Sequence, residues 1–240
     1  MDTFSFIASG LLVYVGLAVF TLGMAWRAWQ WSRTPKSPVR LGLFPKPATA
    51  GGRFGKLLTD TFVAPQSFEI EPGLMWAAMA FHLAALAGFV GHLRLIHEFT
   101  PLVAVLGDDG MAAFAGWSGG IAGIVMLVAV LYWFGRRTFG PYRRLSTPED
   151  YLLLALLLGV IIMGDHLRFV GGLHAPVYIE WFQSLLRFSP SFPAELANSG
   201  EKWALNWHML FVSALLIYFP FSKLTHAIGA FATNLVRSSE

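Results

Sequence analysis

Residues 74–93 read LMWAAMAFHLAALAGFVGHL. The stretch carries no Asp, Glu, Lys or Arg, and a helix crosses a bilayer with about 20 predominantly apolar residues. Two histidines, His82 and His92, interrupt it. An ionisable side chain at membrane depth is costly and marks function by default. This one stretch therefore predicts a membrane-spanning helix, and it poses the question of what its histidines hold.

Working outward, four further stretches have the same character. The predicted helices run over about 4–31, 74–97, 114–136, 148–169 and 203–231. The expected fold is an all-α integral membrane protein, a five-transmembrane-helix bundle that forms one domain over residues 1–240. Composition agrees: 55% of the chain is apolar and 13% charged, against about 25% charged in soluble domains. That excludes a soluble globular protein and a disordered chain. The first span opens on Met1, Asp2 and Thr3, without a basic side chain, and its apolar run is too long for a signal peptide, so it reads as a retained helix. The chain has no cysteine. Disulfides, thioether-linked haem and iron–sulfur clusters on its own thiolates are therefore excluded.

The basic pI of 9.3 resolves into topology. Of the 17 Lys and Arg, 13 fall after the first span, after the third, or in the C-terminal tail. Arg94, Arg168, Arg187 and Lys202 fall on the other side. The positive-inside rule puts the richer side in the cytoplasm, the N-terminus outside and the C-terminus inside. Nucleic acid is not a partner on this reading; lipid is. Residues 33–73 form a basic, then mixed, Pro- and Gly-bearing loop, too small for a catalytic domain. In the outer loop of residues 166–202, Val177–Phe188 (VYIEWFQSLLRF) has apolar and polar faces and is expected to lie as an interfacial helix. His174 is expected to be solvated.

His82 and His92 on the second span run from inside to outside; His208 and His226 on the fifth run back. Antiparallel packing pairs His82 with His226 and His92 with His208, the ligand set of a dihaem cytochrome b. The spacing of 10 residues gives about 15 Å of rise and that of 18 about 27 Å, a mismatch of roughly 12 Å. Tilt, and a kink at Pro220 between the two histidines of the fifth span, are expected to absorb it. Small residues flank the histidines: Ala78, Ala84, Ala85, Ala87, Gly88 and Gly91, with Gly119, Gly120 and Gly123 on the third span. They suit either a large flat cofactor or close helix packing. Two other readings compete: a histidine-lined metal or solute transporter, and a haem-free membrane anchor. An ion path would want carboxylates near the midplane, and the spans place Asp165, Glu149 and Asp150 only at their ends.

With these spacings, with Gly91–His92, and with the run Pro220-Phe221-Ser222-Lys223-Leu224-Thr225-His226, the chain resembles the gamma subunit of respiratory nitrate reductase and its relatives over nearly its whole length. Residues 144–151 (RLSTPEDY), 188–190 (FSP) and 218–226 look more like the membrane cytochromes of the dissimilatory sulfite reductase-linked complex or of heterodisulfide reductase. Nitrate-type members use an outer lysine near the quinol, and no Lys stands between Lys56 and Lys202 here.

The resemblance implies two b haems in the cytoplasmic membrane of a bacterium or archaeon. His82, His92, His208 and His226 would be axial ligands to iron. Electrons would pass between a quinone, menaquinone by preference, and a cytoplasmic iron–sulfur subunit, with room for further membrane or periplasmic subunits. Beside the outer haem, Arg94 and Arg168 are candidates for its propionates. His97, Asp165 and His166 are candidates for quinone contact and proton exchange, His97 and Asp165 foremost. For each of these, a solvated interface residue is the competing reading.

Overall fold

The computed structural model describes residues 1–33 and 47–239. Lys36, Arg40 and Lys46, which enter the charge asymmetry, lie outside them. Among the described residues five helices are long and apolar enough to cross a membrane: Thr3–Ser32 (α1), Pro72–Leu95, Thr100–Phe139 (α5), Pro148–Phe169 (α6) and Glu201–Phe221. The all-α, five-span expectation holds, and the protein is a multi-pass membrane protein. Large apolar side chains on these spans point outward, among them Leu22, Leu83, Phe89 and Trp117. That is the inverse of a soluble protein and what a lipid-facing surface requires.

The boundaries have local causes. The second span is α-helical over Pro72–His92 (α4) and tightens to a 3-10 turn at Leu93–Leu95. It ends by pairing Arg94 with Glu98. In α6, Pro148 takes the first turn as expected, and the Thr147 N–H donates to the Asp150 carboxylate at 2.9 Å. That reach-back pins the start of the helix, and Arg137 neutralises the buried carboxylate at 3.1 Å.

Four expectations are corrected. The third span starts after Gly107 rather than at 114: Gly107 has non-helical dihedrals (φ 70°, ψ 172°) and kinks the chain between a short helical stretch that opens at Thr100 and the helix that runs on to Phe139. The fifth span is not one kinked helix over 203–231. It is α-helical over Glu201–Tyr218 (α9), passes through 3-10 turns at Phe219–Phe221 and Lys223–Thr225, and restarts as His226–Ser239 (α10). Pro220 lacks the N–H that continuation needs. The 27 Å rise between His208 and His226, and their sharing of one helical face, therefore do not apply. The described residues of the loop over 33–73 form two helices, Ala50–Phe62 (α2) and Pro65–Ile70 (α3). Finally, the helix expected over 177–188 forms as Ala175–Leu186 (α7), but its apolar face packs on protein. Val177, Trp181 and Leu185 form a buried cluster with Val13, Leu196 and Leu205; Leu196 belongs to the short helix Ala194–Asn198 (α8).

The chain divides into two units. One comprises Met1–Leu17 and Ala80–Leu216, the other Ala18–Met79 and Ile217–Glu240. In the first, α5 and α6 pack through Val130, Leu154 and Ile161, with Phe81 and Met126 against them. In the second, Gly23 lies so close to Pro220 that a Cβ at Gly23 would fall 2.6 Å from the proline ring. Arg27 Nε donates to the Pro220 carbonyl at 2.8 Å. Asn234 of α10 donates to Thr61 of α2.

Candidate functional site

His92 and His208 come together as expected. They reach each other from the end of α4 and the middle of α9, with ring centres 6.5 Å apart and ring planes 7° apart. The His92 Nδ1 lies 2.7 Å from the Gly88 carbonyl one turn back. The His208 Nδ1 lies 3.0 Å from the Val160 carbonyl of α6. A carbonyl only accepts, so Nδ1 carries the proton in both rings and Nε2 keeps its lone pair. Metal-binding histidines are held in this way, with the second nitrogen donating to a carbonyl and the first directed to the metal. Gly164 allows the close seat of His208: a Cβ there would stand 3.2 Å from the ring's Cε1.

An imidazole nitrogen sits about 2 Å from a bound metal, so two rings sharing one ion have centres roughly 6 Å apart. The 6.5 Å separation is of that size. Among the described residues no group of three or more His, Asp or Glu is gathered to hold a bare ion. Two imidazoles could serve as the axial pair of an iron whose remaining ligands come from a macrocycle.

Of the other two histidines, His82 belongs to the first unit and His226 to the second. His82 lies on α4 with Phe81 edge-on at 5.5 Å. His226 opens α10, and its Nδ1 lies 2.9 Å from the Lys223 carbonyl.

The polar candidates around His92 and His208 divide among separate settings. Arg94 is held in a two-pronged pair by Glu98, Nε to Oε1 and Nη2 to Oε2, both at 2.7 Å. That fork pulls the Glu98 carboxyl below its usual range. His97 is exposed in the turn that follows α4. Asp165 and Arg168 share the face of α6 that meets α5. A Cβ at Gly123 would collide with the Asp165 carboxylate, one at Gly119 would meet the Arg168 guanidinium at 3.1 Å, and one at Gly120 would meet Phe169 at 3.1 Å. The glycines of the third span therefore make room for α6 side chains, the close-packing use. His166 turns the other way and lies 5.2 Å from the Trp203 ring. His174 is exposed at the start of α7, as expected.

Two polar groups escaped sequence reading. Glu201 accepts hydrogen bonds from the Gly172 and Leu173 amides and from the Tyr178 hydroxyl. It thereby ties the loop after α6 to the start of α9. Burial, and then the bond to Glu201, raise the Tyr178 phenol above its usual value. The second is Asn206, held between Ser5 and Ser9. A lone Asn in an apolar span was the available signal for it.

Comparison with known proteins adds a family match. The family model described as nitrate reductase gamma subunit matches residues 65–239. An Hdr-like menaquinol oxidoreductase cytochrome b-like subunit of Archaeoglobus fulgidus is 27% identical, over 92% of this chain and 76% of its own. The nitrate reductase gamma chain of Bacillus subtilis is 31% identical over 66% of this chain and 73% of its own. The respiratory nitrate reductase 1 gamma chain of Escherichia coli is 27% identical over 64% and 71%.

Proposed function

The chain belongs to the nitrate reductase gamma subunit family, and on that premise we propose that it is the membrane cytochrome b subunit of a respiratory complex. It passes electrons between menaquinol and a cytoplasmic iron–sulfur partner through two b haems. The observation that carries the reading is the His92–His208 pair, 6.5 Å apart with near-parallel rings and both Nδ1 atoms engaged by carbonyls. The relative named as a menaquinol oxidoreductase subunit supports the quinone.

His92 and His208 would hold the outer haem. His82 and His226 would hold the inner one; their support is the spacing of 10 and 18 residues. Haem iron supplies reversible one-electron chemistry at each site. The chain's own part is to fix the imidazoles, exclude water and manage the quinol's protons. Asp165 is the favoured proton acceptor. It is half-buried at the outer end of a span, and its carboxylate has no hydrogen bond or ion pair among the described residues. Arg168 stands one turn on and is exposed, able to meet a haem propionate. Arg94 would have to exchange Glu98 for that role. The cytoplasmic placement of the C-terminus follows from the 13 basic residues on that side.

The test is a reduced-minus-oxidised spectrum of the purified full chain. A b-type signal whose haem content falls by half in His208→Ala supports the reading. Absence of any b-type signal overturns it and leaves a transporter or an anchor.

A further inference from the structure

Asn206 stands two residues before His208 on α9. Two positions on a helix are about 200° apart, so the two side chains leave on opposite faces. Asn206 is 2% exposed and Ser5 and Ser9 are both fully buried. The Ser9 hydroxyl donates to Asn206 Oδ1 at 2.7 Å, and Asn206 Nδ2 donates to the Ser5 hydroxyl at 2.8 Å. The two serines bracket the start of a π turn at Ile7–Leu11 in α1, an uncommon local winding found mostly at functional positions. The Ser9 carbonyl accepts from the Trp181 indole at 3.2 Å, and Trp181 is the 2%-exposed centre of the α7 cluster. The amide of Asn206 is thus gripped by a part of α1 that is itself anchored.

A buried amide that loses its partners in an apolar surround incurs the full desolvation cost. Rotating α9 about its axis at this level would break both bonds with no water to replace them. The clamp therefore fixes the azimuth of α9, and with it the direction in which His208 leaves the helix. On that opposite face His208 meets the Val160 carbonyl and lies parallel to His92.

We infer that the Ser5–Asn206–Ser9 clamp is a positioning device for His208: it sets the orientation of that imidazole against His92 and so tunes one haem and not the other. The inference rests on the haem reading above. Axial-ligand orientation and hydrogen bonding are levers on haem potential, so the clamp would act on redox behaviour rather than on stability alone.

The experiment uses the full chain in native membranes, with Asn206→Leu and, as a milder variant, the double change Ser5→Ala with Ser9→Ala. Potentiometric titration resolves the two b-haem transitions, and low-spin ferric EPR reports on the ring geometry of each. The expected result is a shifted midpoint and an altered EPR signal for one haem, with the other unmoved, in both variants. Two unmoved midpoints with wild-type EPR signals would overturn the inference. So would loss of both haems together in both variants, since the clamp would then determine the fold rather than one site. A wild-type chain without haem would sink the haem reading itself, a different outcome from either.

Discussion

The imidazoles of His92 and His208 lie with planes 7° from parallel and centres 6.5 Å apart, although they come from helices more than a hundred residues apart in sequence. Each ring's orientation is set on its own side, by the Gly88 carbonyl of α4 and by the Val160 carbonyl of α6. Neither ring needs the other to hold its direction, so the pair is preorganised.

That preorganisation has a spectroscopic consequence. The ferric EPR signal of a bis-imidazole haem depends on the angle between the two ring planes. Near-parallel rings are expected to give a rhombic low-spin signal, not the highly anisotropic one of crossed rings. His92→Ala is expected to remove this signal and one haem per chain while the second haem persists. Pyridine haemochrome content and EPR on the same sample check both. Retention of both haems in His92→Ala would show that the pair is not a ligand set.

Much of this was legible in the sequence, and the reason is physical. A bilayer requires every backbone polar group to be satisfied within the protein, which a helix does within one segment, so 20 apolar residues announce a span. Charge on a membrane helix is expensive enough that His82, His92 and His208 stood out at once. The α6 start was legible from Pro148 because a proline loses nothing in a first turn. What escaped reading depends on three-dimensional neighbours. Gly119, Gly120 and Gly123 look alike whether a cofactor or Arg168, Phe169 and Asp165 fill the space above them. Pro220 signals a disturbance, but whether the helix bends or breaks depends on its neighbours, here Arg27, which donates to Pro220's own carbonyl where the helix ends. Glu201 sits at a span's end, where acids are common, and only the fold supplies its partner Tyr178.

The turn after α4 is expected to be acid-sensitive. Arg94's bonds to Glu98 hold that carboxyl below its ordinary 4.5. A depressed carboxyl contributes stability that is present above its unfolded value and is lost as pH falls through the folded one. Hydrogen exchange of the 93–99 segment, corrected for intrinsic rates, should therefore show full protection at neutral pH and loss at a pH below 4.5. Glu98→Gln should lower protection at neutral pH and flatten the acid dependence. An acid transition that survives in Glu98→Gln would assign it to another group.

Glycines should differ sharply in tolerance. A methyl at Gly123 falls on the Asp165 carboxylate, whereas nothing lies within 4 Å of one at Gly91. Gly123→Ala is expected to cost about 1–3 kcal/mol, the usual range for overpacking. Gly91→Ala should be near neutral or slightly stabilising, because alanine suits a helix better than glycine does. Thermal melts of the two detergent-solubilised variants compare them directly. Equal melting temperatures would mean that α5 and α6 are not in contact at this level.

Asp165 offers the test of proton handling. It shares the α5-facing side of α6 with Arg168, yet no ion pair joins them among the described residues. An unpaired carboxylate at the end of a span is retained at a cost, which argues for use. If it accepts a proton from quinol, Asp165→Asn keeps the shape and removes the base. General-base contributions are typically about a hundredfold or more, so quinol-driven haem reduction should slow by at least about that factor. Reduction by dithionite, which needs no base, should give the wild-type spectrum and extent. His97→Gln is the control: that ring is exposed in the turn, and its loss should leave the quinol rate within about twofold if Asp165 carries the step. A wild-type rate in Asp165→Asn would reduce the residue to packing against Gly123, and a slow His97→Gln would move the proton path to the turn.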